Sequence, residues 1–302
     1  MKLSICCITY NHELFIAQAI DSFLMQKTNF DFEIVIGEDA SKDATRSILL
    51  KYQQQHPDKI RLLLHDRNIG MIPNFYQTLS ACTGEYVAIC EGDDYWIHDD
   101  KLQIQTDWMD AHPEFSFHFH RVNRRRNGAF VDFFPDLEQD TVIDFTRLLR
   151  DWNIAIGAMV FRRDLLPGPE LMLSAKVGDQ SLCYGLATKG NIFYSADCLG
   201  DYRYHPGGIT NDQSIFWDIE RIKMFRKLME FEGKAFRAQI EQKIVALMMP
   251  KITYLRGLPF SVKKIKAYLG FYKELFVDFD FLSPQLRRTI YSRLFITHKE
   301  QG

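Results

Sequence analysis

Short apolar segments alternate with helix-like segments over the first 120 residues, and this alternation constrains the fold more than any other feature of the chain. Four near-continuous apolar runs have the length and composition of buried strands. They are LSICCI at 3–8, FEIVIG at 32–37, IRLLLH at 60–65 and EYVAIC at 85–90. Because these strands lack an exposed polar face and are joined by helices, they predict a parallel sheet covered on both faces.

The segments between these runs carry helix signals. Ile16, Ala19, Ile20, Phe23 and Leu24 recur at helical spacing after the first strand. The residue Ser41 is placed to act as the N-cap of the helix that follows the second strand. The first 120 residues therefore predict repeated strand–helix units.

The pattern is less regular beyond residue 115. FSFHFH at 115–120 alternates as a half-buried strand does, and 124–140 is typical of a hairpin or loop. We expect a strand at 155–163, a helix at 177–190 ended by Gly190, and short strands at 191–197 and 200–205. From about residue 211 the chain is predicted to be helical, with breaks near Pro250, Pro259 and Pro284.

Charge is divided unevenly along the 302 residues. The net charge of −2 indicates no nucleic-acid partner, but residues 221–302 carry 17 Lys and Arg against 7 Asp and Glu, and residues 1–220 carry 20 against 32. This asymmetry predicts two functional regions. We expect a domain at 1–212, with halves at 1–120 and 121–212, followed by a basic helical region at 213–302.

The six cysteines favour a reducing compartment. Several lie inside apolar runs, as small buried hydrophobes do, and no CxxC pair suggests a zinc knuckle. The N-terminal apolar run is too short for a secretory signal, and no stretch of about 18 apolar residues predicts a transmembrane helix. These features predict a cytoplasmic protein, with a peripheral position at the inner face of the membrane as a further hypothesis.

Polar motifs follow each of the four predicted strands. They are TYN at 9–11, EDAS at 38–41, RNIG at 67–70 and EGDDYW at 91–96. Ligands of open α/β sheets bind beyond the carboxyl ends of the strands, so these motifs predict a shared site. Asp39 can accept a hydrogen bond from a base N–H, although Asp39 and Ser41 could instead cap a helix, and TYN could be a plain turn.

A phosphate group at this site would need a counter-charge. The chain has no GxGxxG or GxxxxGKS loop. Glu91 and Asp93 are separated by one residue and could hold Mg²⁺ or Mn²⁺, for which carboxylate oxygens are suitable ligands. Gly92 would let the backbone approach closely. The alternative is that EGDD is a solvated acidic turn.

Taken in order, these motifs resemble the family 2 glycosyltransferases, which have the A-type (GT-A) nucleotide-sugar-binding fold. The resemblance covers about residues 1–212 and rests on SICCITYNHELFIAQAIDSFLMQ, FEIVIGEDASKDAT, RNIG, TGEYVAICEGDDYWIHDDKL, GDQSL and YRYHPGGIT. It implies a mixed, mainly parallel α/β sheet flanked by helices, with a C-terminal helical appendage. It also implies transfer of a sugar from a nucleoside diphosphate donor, typically a UDP-sugar.

The resemblance implies roles for the residues at the strand ends. Those predicted to contact the nucleotide-sugar are Thr9, Tyr10, Asn11, Asp39, Asn68, Gly70, Glu91, Gly92, Asp93 and Arg203. EGD at 91–93 stands where the family has its DxD element, so Asp93 is the expected metal ligand. Glu91 departs from strict DxD, which leaves its ligation open.

The second half of the resembling region implies the remaining groups. Asp179 matches the carboxylate that acts as general base in inverting transfer, although Gly178 replaces the first acid of the family's ED-like pair. His205 is expected to reach the Mn²⁺ or Mg²⁺ ion or the diphosphate, with a structural role as the alternative. Gly207 and Gly208 suggest a lid. His118 and His120 could mimic a metal pair, but a polar strand face is the preferred interpretation.

The resemblance also implies an acceptor that is a glycan or is lipid-linked. The basic segment 258–276 could contact anionic lipid, or could be a packed helical appendage. Two other functions stay open at this point. One is a nucleotidyltransferase, which would favour a glycine-rich N-terminal loop. The other is a nucleotide-sugar-binding or scaffolding protein without catalysis.

Overall fold

The computed structural model describes residues 1–206 and 215–257, together with residues 284, 287 and 288. The chain forms two compact units. Of the described residues, the first unit contains 1–173 and 178–206, and the second contains 174–177 and the residues from 215 onward. The predicted boundary at 212, the glycine pair 207–208 and the basic segment 258–276 lie outside the described residues.

A sheet of ten strands forms the centre of the first unit. The strands are β1 (Leu3–Thr9), β2 (Phe32–Glu38), β3 (Ile60–Leu64), β4 (Tyr86–Ile89), β5 (Tyr95–Trp96), β6 (Phe115–Arg126), β7 (Ala129–Phe134), β8 (Thr141–Ile143), β9 (Met159–Arg162) and β10 (Asn191–Tyr204). Their order is β3-β2-β1-β4-β9-β6-β10-β5, with β7 paired to β6 and β8 to β10. Strands β1 to β4 are parallel, whereas β9 runs antiparallel to both β4 and β6. The predicted mixed sheet is confirmed.

Helices connect the strands of the first unit. They are α1 (Ile16–Leu24), α2 (Thr45–Gln55), α3 (Met71–Ala81), α4 (Lys101–Ala111), α5 (Phe145–Arg150), α6 (Pro169–Met172) and α7 (Gly178–Ala187). The second unit contains α8 (Ile215–Phe231) and α9 (Arg237–Gly257). In α1, the predicted apolar positions 16, 19, 20 and 23 are all fully buried. Helical spacing therefore predicted the face of α1 that packs on the sheet.

The burial of the first strands explains why their apolar runs predicted them from the sequence. Every residue of β1 is buried, as are all four residues of β4. Five of the six cysteines are buried, Cys198 is half-buried, and all six are free thiols. None of the described helices is both long enough and apolar enough to cross a membrane.

The prediction of a half-buried strand at 115–120 is wrong. All six residues are buried, and they form the first half of β6. Strand β6 lies inside the sheet, between β9 and β10, and α4 packs against it. His118 and His120 are consequently buried and do not form a polar exposed face. The alternation of polar and apolar residues gave a wrong prediction because the polar residues His118 and His120 are buried.

Two predicted breaks are also absent. Residues 191–204 form one strand, β10, in which register shifts at 195–198 and 198–200 replace the predicted gap. Helix α9 continues through Pro250, where we predicted an end. A proline inside a helix removes one main-chain donor, and the remaining hydrogen bonds of this 21-residue helix still form a continuous element.

Candidate functional site

The carboxyl ends of the parallel strands lie along one edge of the sheet. The last residue of β1, Thr9, is paired with Glu38 at the end of β2, and Glu38 is paired with Leu64 at the end of β3. Strand β4 runs parallel to β1 on its other side. The four polar motifs predicted to share a site therefore follow strands that end together.

Asp39 links two of these motifs. Its carboxylate accepts hydrogen bonds from the backbone N–H groups of Ile69 and Gly70, at 2.7 and 2.9 Å. The side chain of Asn68 donates to the backbone carbonyl of Asp39 at 3.2 Å. Gly70 has a φ of 92°, in the left-handed region that favours glycine. Asp39 thus fixes the loop after β3, and Asn68 and Gly70 lie beside it.

The segment after β1 is held by the segment after β2. Asn11 has a φ of 56°, its backbone N–H donates to the Ser41 hydroxyl at 2.9 Å, and its side-chain oxygen accepts from the Lys42 N–H at 2.8 Å. Helix α2 begins at Thr45 without a side-chain cap, so the prediction of Ser41 as N-cap is wrong. Its hydroxyl serves the loop of Asn11 instead. Tyr10 is half-buried next to this loop.

Thr9 and Gly92 are in close contact at the base of this edge. A Cβ atom on Gly92 would lie 2.8 Å from the Thr9 hydroxyl oxygen and 2.9 Å from Cδ1 of Ile16. Glycine is therefore required here for close packing rather than for an unusual φ. The buried Thr9 hydroxyl has no hydrogen-bond partner among the described residues.

Three carboxylates form a cluster directly after β4. Glu91, Asp93 and Asp94 each offer an oxygen, and these oxygens lie within 4.8 Å of one another. Asp94 is buried, and Glu91 and Asp93 are half-buried. Like charges this close repel unless cations or protons compensate them. The cluster therefore requires compensating groups.

Arg203 supplies a cation to the cluster, and two histidines lie close to Asp93. The Arg203 guanidinium donates to the backbone carbonyl of Asp93 at 2.6 Å, and the Arg203 backbone N–H donates to the Asp94 carboxylate at 2.8 Å. His205 Nε2 lies 3.0 Å from Asp93 Oδ2 in a hydrogen bond, and His12 Nε2 lies 3.7 Å from the same oxygen. Both residues predicted in the YRYH segment thus contact the acidic cluster.

The environment separates the pKa values of the three acids. Burial raises the pKa of Glu91 to about 8, with contributions from the charges of Asp93 and Asp179. Burial and the charge of Asp93 likewise raise the pKa of Asp94 well above its usual value. Burial would also raise the pKa of Asp93, but the hydrogen bond with His205 and the charge of His12 outweigh it and hold this pKa below the ordinary value. Asp93 is consequently the acid that most favours the charged form.

Asp179 lies in the first turn of α7, and its charge acts on Glu91. A Cβ atom on the preceding Gly178 would lie 2.8 Å from Cδ1 of Ile72 and 3.4 Å from Cδ1 of Phe75, both on α3. A carboxylate side chain there would require the flexible end of the Ile72 side chain to shift.

Some residues of the site were missed or misjudged from the sequence. His12 was not considered, although it directly follows the TYN motif and so had to lie at the same edge. The sequence left open whether Asp94 serves only the local turn or supports the ligands from behind, and its carboxylate receives the Arg203 N–H. For Trp96 the sequence allowed a pocket wall or core packing, and the structure shows core packing. Trp96 packs against Phe23 with ring centroids 5.0 Å apart and donates from its indole N–H to the Gly157 carbonyl at 2.9 Å.

Tyr95 contributes an aromatic surface next to the acidic cluster. The Arg203 guanidinium lies 4.2 Å from the centroid of the Tyr95 ring, and the Tyr95 hydroxyl is hydrogen-bonded to Asp201. Through its contacts with Asp201 and Arg203, Tyr95 holds β10 in place. The site therefore combines a set of hard oxygen donors with a positioned guanidinium, an arrangement suited to a divalent cation and an anionic group.

Comparisons with known proteins show which sequences and structures this chain resembles. The sequence model described as glycosyl transferase family 2 matches residues 4–166. An uncharacterised protein of Mycobacterium tuberculosis is 36% identical over 225 residues, which are 72% of this chain and 64% of that protein. The chain thus matches just under two thirds of the length of this relative. TuaG of Bacillus subtilis, a putative teichuronic acid biosynthesis glycosyltransferase, is 25% identical over 74% of this chain and 90% of its own length.

A solved structure shows a similar fold. S. aureus TarS 1-349 in complex with UDP-GlcNAc has a TM-score of 0.69 and 17% identity, and the match covers 97% of this chain and 87% of that one. The α/β architecture is thus the GT-A architecture predicted above. Since the family model covers more than half of the chain, this protein belongs to glycosyl transferase family 2.

Proposed function

We propose that this protein transfers a sugar from a nucleoside diphosphate sugar to a glycan or lipid-linked acceptor during synthesis of a cell-surface glycan. The observation that carries the proposal is the acidic cluster of Glu91, Asp93 and Asp94, positioned at the carboxyl end of β4 and contacted by Arg203. Membership in the family supports the reaction class. The association of TuaG with teichuronic acid synthesis supports the surface-glycan context.

A divalent cation fits the donor set of this cluster. Asp93 offers a charged carboxylate, and His205 offers an imidazole nitrogen 3.0 Å from it. We propose Asp93 and His205 as ligands of Mn²⁺ or Mg²⁺, with Glu91 as a further candidate. When bound, such a cation would neutralise charge on the diphosphate leaving group. Arg203 would hold the same diphosphate by charge-assisted hydrogen bonds.

The edge formed by Thr9, Tyr10, Asn11 and Asp39 would bind the nucleoside, for which uracil is the proposed base. Each oxygen of the Asp39 carboxylate accepts one backbone N–H and keeps a lone pair for a second donor, such as a base N–H. The loop with Asn68 and Gly70 would close the base pocket. The complex of TarS with UDP-GlcNAc supports a UDP-sugar as the donor.

Asp179 is the proposed general base. It would take the proton of the acceptor hydroxyl while the hydroxyl oxygen attacks the anomeric carbon, and the bond to the diphosphate would break on the opposite face, with inversion. Its position in the first turn of α7, close enough to Glu91 to affect its pKa, supports this role. The reaction would take place at the cytoplasmic side of the membrane.

A two-stage experiment tests the proposal. Nucleotide-sugars are first screened for an increase in melting temperature with and without Mn²⁺, because a ligand of the folded state stabilises it. The Asp179→Asn variant is then assayed with the donor that binds. We expect unchanged donor binding and a loss of transfer of about 10²–10⁴-fold, the usual contribution of a general base. Asp58→Asn, at an exposed carboxylate, is the matched control.

Other outcomes would support the competing functions. Unchanged transfer by Asp179→Asn would remove Asp179 from the mechanism. Binding of UDP by the wild type, with no turnover of any sugar donor, would support a nucleotide-sugar-binding protein. Consumption of a nucleoside triphosphate with release of diphosphate would support a nucleotidyltransferase. Retention of anomeric configuration in the product would contradict the inverting displacement.

A further inference from the structure

A hairpin formed by the second half of β6 and by β7 has an unusual surface. The two strands are joined at Asn127 and Gly128, whose φ values of 51° and 79° are both left-handed. Two consecutive residues of this kind form the tight turn that matches strand twist. Among the described strands, β7 pairs with β6 alone. The hairpin therefore ends the sheet on this side.

Large apolar side chains on β7 are open to solvent. Phe130 is 50% exposed, Val131 is 47% exposed and Phe133 is 42% exposed. The rings of Phe130 and Phe133 lie 5.0 Å apart, centroid to centroid, in an edge-on arrangement. Single exposed apolar residues are common on proteins, but the adjoining rings of Phe130 and Phe133 form an apolar patch, and Val131 is exposed on the same strand.

Arginines of the paired strand lie beside this patch. The strand β6 contributes Arg121, Arg124, Arg125 and Arg126, whereas Asp132 is the acid on β7. Asp132 is paired with Arg124, and Arg125 is paired with Asp201. The Arg121 guanidinium lies 4.8 Å from the centroid of the Phe133 ring. Arg126 has no ion pair with any residue in the described ranges 1–206 and 215–257.

We propose that the hairpin surface, defined as Arg126, Phe130, Val131 and Phe133, is a docking site for an anionic lipid bilayer. Phenylalanine rings and a valine can enter the boundary between headgroups and acyl chains, and arginine can pair with lipid phosphate. A second copy of the chain fits less well, because a two-fold contact through this surface would bring the same arginines together.

The position of the hairpin gives this contact a consequence for the acidic site. In the register of the sheet, Arg125 of β6 lies opposite Arg203 of β10, and Arg126 lies opposite Tyr204. The hairpin therefore adjoins the strand that leads to His205. The Arg126 guanidinium lies 5.3 Å from the centroid of the Tyr204 ring. Docking would place this part of the protein near the bilayer, where lipid-linked acceptors are found. Lipid binding itself does not depend on the proposed sugar transfer.

Vesicle flotation with the full chain tests the proposal without any substrate. Phosphatidylcholine vesicles with and without phosphatidylglycerol are compared for the wild type, Phe130→Ser/Phe133→Ser and Arg126→Glu. We expect the wild type to float with the anionic vesicles only. The double variant should lose at least about tenfold in partitioning, since binding scales with buried apolar area. Arg126→Glu should weaken binding most at low salt, where its charge is least screened.

Matched variants identify the cause of any loss. Leu50→Ser/Leu173→Ser removes two similarly exposed apolar side chains elsewhere in the first unit and should bind like the wild type. Phe130→Trp/Phe133→Trp should retain binding, since tryptophan suits the interface. Equal binding by the wild type and the serine pair would overturn the proposal. So would self-association of the wild type in solution that the serine pair abolishes, because that result identifies a second copy as the partner.

Discussion

Two buried polar clusters in the same sheet show opposite ways of handling charge. The acidic cluster of Glu91, Asp93 and Asp94 is contacted by Arg203, His205 and His12. The basic cluster of Lys101, His118 and His120 lies between α4 and β6, and all three side chains are at most 1% exposed. The first cluster has a cation and two histidines beside it, whereas no acidic side chain of the described residues contacts the second.

The atoms of the basic cluster are poorly satisfied. Among the described residues, the Lys101 amine and both ring nitrogens of His118 have no hydrogen-bond partner, and His120 has one bond, from Nδ1 to the Arg121 carbonyl at 2.8 Å. The main favourable contact of the Lys101 amine is with the Trp96 ring, 3.8 Å from its centroid. No carboxylate in the described part of the chain pairs with Lys101, so its charge is not compensated there.

The two clusters consequently favour opposite protonation. Burial lowers the pKa of Lys101 to about 7 and that of His118 to about 3, so the basic cluster tends to lose its charge. In the acidic cluster, His205 and His12 keep the pKa of Asp93 low despite burial. A buried carboxylate that stays charged because neighbouring groups stabilise it, such as Asp93, indicates a ligand site. A buried basic group that loses its charge, such as Lys101, lowers the stability of the fold.

The largest expected effect is on the acidic cluster. Asp93→Asn keeps the shape and the bond to His205 but removes the charge, so we expect sugar transfer to fall by about 10³-fold. Thermal stability without added metal should fall, because the lowered pKa of Asp93 means that the folded state stabilises its charged form. Steady-state kinetics and a melting curve measure the two effects. The exposed Asp31→Asn is the control. Unchanged transfer by Asp93→Asn would remove Asp93 from the mechanism, and an unchanged melting temperature would show that the folded protein does not stabilise its charge.

Lys101→Met should raise the stability of the protein, which is opposite in sign to the effect of Asp93→Asn. We expect the variant to be more stable than the wild type by a few kcal/mol at pH 7, since each pKa unit corresponds to about 1.4 kcal/mol. The unfolded chain binds a proton at Lys101 below about pH 10.5, and the folded chain does so only below about pH 7. The stability cost of Lys101 therefore grows as pH falls from 10.5 to 7 and is constant below 7.

Denaturant unfolding of Lys101→Met at several pH values measures this prediction. The exposed Lys51→Met serves as the matched control, for which we expect no such pH dependence. A Lys101→Met variant that is less stable than the wild type at pH 7 would mean that the amine has a compensating partner. In that case the contrast between the clusters would disappear.

A smaller effect is expected for His118→Leu, and it should appear only in acid. The unfolded histidine binds a proton below about pH 6.5, whereas the folded one does so only near pH 3. The wild type should therefore lose stability as pH falls below 6.5, by up to about 1.4 kcal/mol per pH unit. The variant lacks this loss, so its advantage should widen from pH 6.5 downward and be flat above it.

The same unfolding measurements check His118→Leu, with His56→Leu at the end of α2 as a half-buried control. If the difference between His118→Leu and the wild type does not change between pH 8 and pH 4.5, His118 is not held neutral by its surroundings. Burial would then not explain the protonation of the basic cluster.

The sequence predicted those site residues that lie in a recognisable motif and missed those that do not. Asp39, Asp93 and Arg203 could be proposed because each lies in a motif that follows or forms a strand, and strand ends share an edge. His12 belongs to the same edge but carries no pattern of its own. Asp94 was undervalued because its partner, the Arg203 backbone, is 109 residues away in the chain. The role of Asp179 as a base remains a prediction.

By itself, the sequence determined the parallel strands β1 to β4, the buried face of α1 and the acidic motif after β4, because hydrophobic spacing is a local property of the chain. Tertiary structure alone decided that the first half of β6 is covered on both faces, that α9 passes through Pro250, and that Gly178 lies against Ile72 of α3. It also decided which charges have partners. Burial and pairing depend on residues distant in sequence, so no local pattern can specify them.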